Sequence, residues 1–227
     1  PSLISGRVYY DIDYDNKFVL GDDSGITGQT IELYQGATKI ASTAVDNDGG
    51  YRFENILNGT YTIKLVPGNI PADMVEAPAS AAALAVASRT VTISNANAQY
   101  GDRNFWYNKS GEAGIAGQVY VDVNNNGTPD ASADFPIAGA TVSLKKGASV
   151  VKTTFTSARG AYKFSGIAQD NYTVELSVPA GYSVYKTSAG NTTIPSITVN
   201  MTSSMMYTGR YFLLAGNSNN NPGDGPG

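Results

Sequence analysis

Residues 122–134 read DVNNNGTPDASAD and set Asp122, Asn124, Asn126, Gly127, Thr128 and Asp130 in the 1, 3, 5, 6, 7, 9 order of an EF-hand-type calcium loop. In that order the first, third, fifth and ninth residues offer side-chain oxygens, glycine at the sixth allows the sharp turn, and the carbonyl of the seventh is a ligand. Asp134 stands at the thirteenth place, one beyond the usual late carboxylate. An earlier stretch, DIDYDNKFVLGDD, repeats the pattern with Asp11, Asp13, Asp15, Asn16 and Lys17, followed by Asp22 and Asp23. Asn16 takes the tight-turn place, where its side chain tolerates a left-handed backbone. The ninth place is Val19, which has no ligand oxygen on its side chain. Asp46 and Asp48 in VDNDGGY are further candidate ligands, but their counterparts are Ser157 and Arg159, so such a role would belong to the first stretch alone. Hard oxygen donors of these kinds select Ca2+. The competing reading is a set of solvated turns, since Asp, Asn and Gly favour turns for conformational reasons alone. A paired-carboxylate glycosidase is a third reading, but these acids lie in polar turn sequence without aromatic sugar platforms beside them.

Composition removes other chemistry. The 227-residue chain has no Cys and no His, so thiol nucleophiles, thiolate or imidazole metal sites and histidine acid/base catalysis are excluded, and no enzyme is expected. Its net charge of −4, with no cluster of Lys or Arg among aromatics, argues against nucleic acid. No apolar run approaches the ~20 residues that span a bilayer. The opening PSLISGRVYY has neither a basic region nor an apolar signal core, so a mature or excised segment is expected.

The elements that carry the acidic loops are written twice. Sliding the sequence against itself by 111 residues puts Gly6 on Gly117, Asp11 on Asp122, Leu33 on Leu144, Tyr51 on Tyr162, Phe53 on Phe164 and Tyr61 on Tyr172. The final strands match as YGDRNFW and YTGRYFL. Each copy is about 105 residues, a normal size for one autonomous core. Within each, short alternating runs such as TIELYQG and YTIKLVP, or TVSLKKG and YTVELSVP, have the period of half-buried strands. About seven strands per copy give an all-β chain of two tandem β-sandwiches. The first spans residues 1–108 and the second 115–215, with a short linker at 109–114 and a flexible Gly/Asn/Pro tail at 216–227. The Ala-rich stretch at 77–88 is expected to form a short helix.

The order of motifs GQVYVDVNNNGTPD, IAGATVSL, TTFTSARGAYKFSGIAQDNYTVELSVPAGY resembles the B-type repeats of serine-aspartate-repeat surface adhesins. These stand among the collagen-adhesin B-like, prealbumin-like sandwiches. The resemblance covers both copies and implies an immunoglobulin-like or prealbumin-like fold and an extracellular, calcium-binding stalk module. It gives the metal role to Asp122, Asn124, Asn126, Thr128 and Asp130 and, by the repeat, to Asp11, Asp13, Asp15 and Lys17. Related sandwiches often carry a Lys-to-Asn isopeptide bond. The first strands here, SGRVYYD and AGQVYVD, contain no Lys, and Tyr211 stands where the first copy has Asn104, so none is expected.

The expected function is therefore non-catalytic: tandem repeats on a cell surface, stiffened by Ca2+, partnered by neighbouring repeats of the same chain or fibre and carrying a host, matrix or glycan-binding region. A carbohydrate-binding module with Tyr10, Tyr14 and Tyr34 as its platform is the alternative, and a filament subunit exchanging strands is another. Sequons make Asn58, Asn108, Asn126, Asn171, Asn191 and Asn200 candidate glycosylation sites, with metal binding competing at Asn126. Trp106, in the alternating NFWY strand, is read as core rather than as a sugar platform. The adjacent Met residues of SSMMY, at 203–207, fit an edge or interdomain contact.

Overall fold

The computed structural model describes residues 1–14, 16–18, 23–66, 68, 70–77, 88–130 and 133–216. The expected helix at 77–88 falls almost wholly outside the described residues, as does the tail expected at 216–227 apart from Gly216, which ends the last strand. Apart from the short Asp13–Asp15 segment, the chain divides between Ser110 and Gly111 into two compact units.

Every regular element among the described residues is a strand. The first repeat contains β1 (Ser2–Tyr10), β2 (Ser24–Gly25), β3 (Thr30–Gln35), β4 (Thr38–Ala44), β5 (Gly50–Ile56), β6 (Gly59–Val66), β7 (Met74–Ala77), β8 (Ser88–Ile93), β9 (Gln99–Tyr100) and β10 (Phe105–Lys109). The second repeats them in the same order as β11 (Gly114–Val121), β12 (Phe135–Pro136), β13 (Thr141–Lys146), β14 (Ser149–Phe155), β15 (Ala161–Ser165), β16 (Asn171–Leu176), β17 (Tyr182–Thr187), β18 (Ser196–Asn200), β19 (Met206–Tyr207) and β20 (Phe212–Gly216). Among the described residues each copy thus has eight strands of four or more residues and two of two residues.

Two sheets face each other in each repeat. One has the order β4-β3-β6-β8, repeated as β14-β13-β16-β18, entirely antiparallel. The other is built around the first long strand. The end of β1 runs parallel to β10 and antiparallel to β2, while its start pairs with β5 and β9. β11 does the same with β20, β12, β15 and β19. Because β1 and β10 are parallel, the chain enters a repeat at one pole and leaves it at the other.

The alternation in sequence becomes alternation in burial. Ile31 and Leu33 of β3 and Tyr61, Ile63 and Leu65 of β6 turn inward against Ile4, Val8, Phe53 and Phe105 of the facing sheet. The second core repeats this with Val142, Leu144, Tyr172, Val174, Leu176, Ile115, Val119, Phe164 and Phe212. Apolar side chains at period two can fill a layer between two sheets, and burying each large one stabilises the fold by ~1.5–3 kcal/mol. Gly6 and Gly117 have a steric reason: a Cβ there would lie 2.4 Å from Arg103 O and 1.8 Å from Arg210 O. The hydroxyls of the buried Tyr51 and Tyr162 donate to these same two carbonyls, tying β5 and β15 to the approach of the last strand.

Candidate metal centre

The first strand ends in the loop. Asp11 N–H donates to Tyr107 O at 2.9 Å and Asp122 N–H to Leu214 O at 3.0 Å, extending the β1–β10 and β11–β20 ladders by one residue. Each ladder therefore delivers a carboxylate to the pole where the chain leaves the repeat. Asp11 is fully buried and Asp122 nearly so, a position a carboxylate keeps only when its oxygens are hydrogen-bonded or metal-bound.

The loop of the second repeat is closed by its own acids and amides. Asp122 accepts from Asn126 N at 3.2 Å and from Gly127 N at 2.8 Å. The side-chain oxygen of Asn124 accepts from Asn126 N, and that of Asn126 accepts from both the N–H and the hydroxyl of Thr128. Asp134, buried at the end of the loop, accepts from Val123 N at 3.1 Å with one oxygen and from Asp130 N at 2.8 Å with the other.

The first loop follows the same frame. Asp11 accepts from Asn16 N at 3.0 Å, and Asp23, the counterpart of Asp134, accepts from Ile12 N at 3.0 Å. The left-handed positions coincide too: Tyr14 and Asn16 have φ of 63° and 61°, and Asn125 and Gly127 have 54° and 72°. A left-handed Asn at the tight-turn place was expected; a left-handed Tyr is unusual and costs on the order of 1–3 kcal/mol unless the loop over-determines it.

The two loops differ in how their acids converge. Asp11, Asp13 and Asp23 each present an oxygen within 4.8 Å of the others, and among the described residues no other trio of acids does so. That spacing fits hard-cation ligation, since oxygens 2.3–2.6 Å from one ion lie this close to each other. The donor set therefore suits Ca2+. Asp15 and Asp22 lie outside the described residues. Lys17 and Thr128 are exposed, so a role for either would run through the main-chain carbonyl.

Asp46 and Asp48 do not join this trio. One oxygen of Asp46 accepts from Asp48 N at 2.9 Å and Gly50 N at 2.7 Å, closing its own turn. Ser157 closes the matching turn with bonds from Arg159 N and Ala161 N, so Asp and Ser do equivalent work at this position.

Sequence reasoning missed the side chains that reach the loops from elsewhere. In the first repeat Asn108 Nδ2 donates to Asp11 O at 3.1 Å and Trp106 Nε1 to the side chain of Asn16 at 3.1 Å. Trp106 is half-buried and stacked on Tyr9, with ring centroids 6.3 Å apart. In the second repeat Lys186 and Tyr185 of β17 donate to the carbonyls of Gly127 and Asn125. No local pattern points to them, since each lies on a strand far in sequence from the loop it reaches and none is shared by the other copy.

The other singled-out residues are dispersed. Tyr14 is buried. Tyr34 donates to Glu32 and carries Lys64 on its ring face. Tyr10 lines a cleft of about 310 Å³ with Ser24, Ile26, Thr27, Pro71 and Met74, and among the described residues no carboxylate lines it. Asn58, Asn108 and Asn191 use their side-chain amides on Ser94 O, Asp11 O and Ser196 O, while Asn171 and Asn200 are exposed and face each other across β16 and β18.

Known proteins resemble this chain in sequence. A family model described as the SdrD B-like domain matches residues 3–105 and again 113–224. The serine-aspartate repeat-containing protein F of Staphylococcus epidermidis is 32% identical over 184 residues, covering 77% of this chain and 10% of that protein. The serine-aspartate repeat-containing protein D of Staphylococcus aureus strain Newman is 29% identical over 173 residues, covering 74% of this chain and 13% of that protein. The chain thus spans about a tenth of the length of the curated relatives it matches. Among solved structures, the minor pilin GBS52 of Streptococcus agalactiae aligns over 94% of this chain and 96% of its own at 14% identity and a TM-score of 0.31. The Bacillus anthracis TIE protein covers 94% of this chain and 34% of its own at 13% identity and a TM-score of 0.32. Two matches in tandem, one to each sandwich and each taking in the acidic loop, place the chain in the SdrD B-like domain family.

Proposed function

We propose that this chain is a non-catalytic, extracellular spacer, a pair of stalk modules within a longer cell-surface adhesin, and that Ca2+ held at the acidic pole of the first repeat stiffens it. The observation that carries the metal reading is the convergence of Asp11, Asp13 and Asp23, with Asp11 fully buried, at the pole where the chain leaves the first repeat. The wiring supports the stalk reading. Parallel first and last strands put entry and exit at opposite poles, so copies can follow one another without the chain doubling back. A cation at the exit pole also acts on the exit strand, because Asn108 of β10 is already bonded to Asp11 O.

Bound Ca2+ would neutralise carboxylates that otherwise repel one another, and it would bind the folded loop far better than the unfolded chain. With free Ca2+ at 100 times Kd the folded state gains about 2.7 kcal/mol per site. A domain of this size shifts its Tm by ~4–8 °C per kcal/mol. Thermal melts in 1 mM Ca2+ and in excess EGTA are therefore expected to differ by about ten degrees or more. Identical melting temperatures would defeat the calcium reading and leave a metal-independent spacer.

A further inference from the structure

The two poles are not equivalent, and the difference lies on β17. In the first repeat β7 pairs regularly with β10, setting Ala77 opposite Trp106. In the second, the pairing of β17 with β20 shifts register between Val184 and Lys186, so that Tyr185 is a bulged residue and Lys186 stands opposite Leu213, the counterpart of Trp106. A bulge re-aims the side chains beside it. Here Tyr185 donates its hydroxyl to Asn125 O at 3.3 Å, and Lys186 places its ammonium 3.1 Å from Gly127 O. The left-handed Gly127 leaves room for that contact: a Cβ there would lie 2.9 Å from Lys186 Nζ and 3.3 Å from its Cδ.

Charge follows the same division. Residues 11–23 carry five Asp and Lys17, a net of −4, and the position matching Lys186 is Ala77. Residues 122–134 carry three Asp, because Asn124 and Asn126 stand where the first loop has Asp13 and Asp15. Lys186 reduces that net of −3 to −2. The second loop therefore has less repulsion to relieve and a cation already delivered to it, from a strand about sixty residues away in sequence.

We propose that Lys186 is a tethered cation that holds the second acidic loop closed in the absence of a divalent ion, leaving the first loop as the one whose order depends on Ca2+. The contrast between the loops rests on the calcium reading above; the role of Lys186 in its own loop does not.

Hydrogen exchange followed by mass spectrometry on the whole chain tests this, with the amides of β13 and β16 reporting that the second sandwich is intact. In the unsubstituted protein, excess EGTA should raise exchange in residues 11–23 at least tenfold and leave residues 122–134 within twofold. In Lys186→Met and Lys186→Gln, EGTA should raise exchange in 122–134 at least tenfold, with β13 and β16 still protected, whereas Lys186→Arg should behave like the parent. The proposal is overturned if 122–134 of the parent loosens in EGTA as much as 11–23 does. It is equally overturned if 122–134 stays protected in EGTA when the lysine is neutral. Should 11–23 ignore EGTA while the neutral variants release 122–134 with or without Ca2+, the calcium reading fails and the tethering role of Lys186 stands.

Discussion

Asp134 illustrates what a single loop residue does. Its position, one place beyond the usual late ligand, looks like a defect in a calcium loop. In the folded protein its two oxygens instead take the N–H groups of Val123 and Asp130, and its counterpart Asp23 takes that of Ile12. Hydrogen bonds to a charged acceptor contribute ~1.5–3 kcal/mol each, and a buried N–H left without a partner is costly. Asp134→Ala is accordingly expected to destabilise the second repeat by ~2–4 kcal/mol, and Asp134→Asn, which keeps one acceptor oxygen, by about half of that. Urea unfolding with an unchanged m-value checks both, and an alanine cost within 0.5 kcal/mol of zero would remove the closing role. The 1, 3, 5, 6 spacing made the loop legible in sequence, as did the left-handed Asn16. The closing role of Asp134 was not, because it depends on which amides the loop turns inward.

Strands were the most legible elements, since Ile31 and Leu33, or Val142 and Leu144, alternate with polar neighbours and are fully buried where that alternation requires. Less legible was how strands meet. The parallel pairing of β1 with β10, the bulge at Tyr185 and the tyrosine hydroxyls that seal β5 and β15 join residues far apart in sequence, where no local period operates. These buried phenols give the sheets a pH signature. Burial, reinforced by the nearby Glu76 and opposed by Arg89, pushes the Tyr107 hydroxyl on β10 up to about 12 from its ordinary 10, and burial pushes Tyr51 and Tyr162 up as well. The unfolded chain then ionises first. The stability each tyrosine contributes is complete below pH 10 and is lost as pH rises through the folded-state value. For Tyr107 the two-unit difference is worth ~2–3 kcal/mol by pH 12. Denaturant midpoints should hold steady to about pH 9.5 and fall steeply from 10 to 12, with the last part of the phenolate absorbance, that of these buried rings, appearing only as the fold is lost. Phenolate absorbance that rose fully at pH 10 in the folded protein would show these rings to be accessible.

At the scale of the whole chain, the repeat builds two separate cores: Ile4, Leu33, Ile63 and Phe105 belong to one, and Ile115, Leu144, Val174 and Phe212 to the other. Each core has both of its sheets within its own repeat, so each can unfold as a cooperative unit by itself. Ligand binding to the folded state raises the stability of the unit that contains the site and of no other. With Ca2+ assigned to the first pole and Lys186 to the second, chelation is expected to act on the first core. Scanning calorimetry of the full chain is expected to show, in EGTA, a transition moved down by about ten degrees and a second left where it stood in Ca2+. Asp11→Asn should abolish the Ca2+ response of the transition that moves, while Lys186→Met should lower the other in EGTA. If the two transitions shifted together and by equal amounts, the repeats would share one calcium dependence, and the division of labour between a bound and a tethered cation would be wrong.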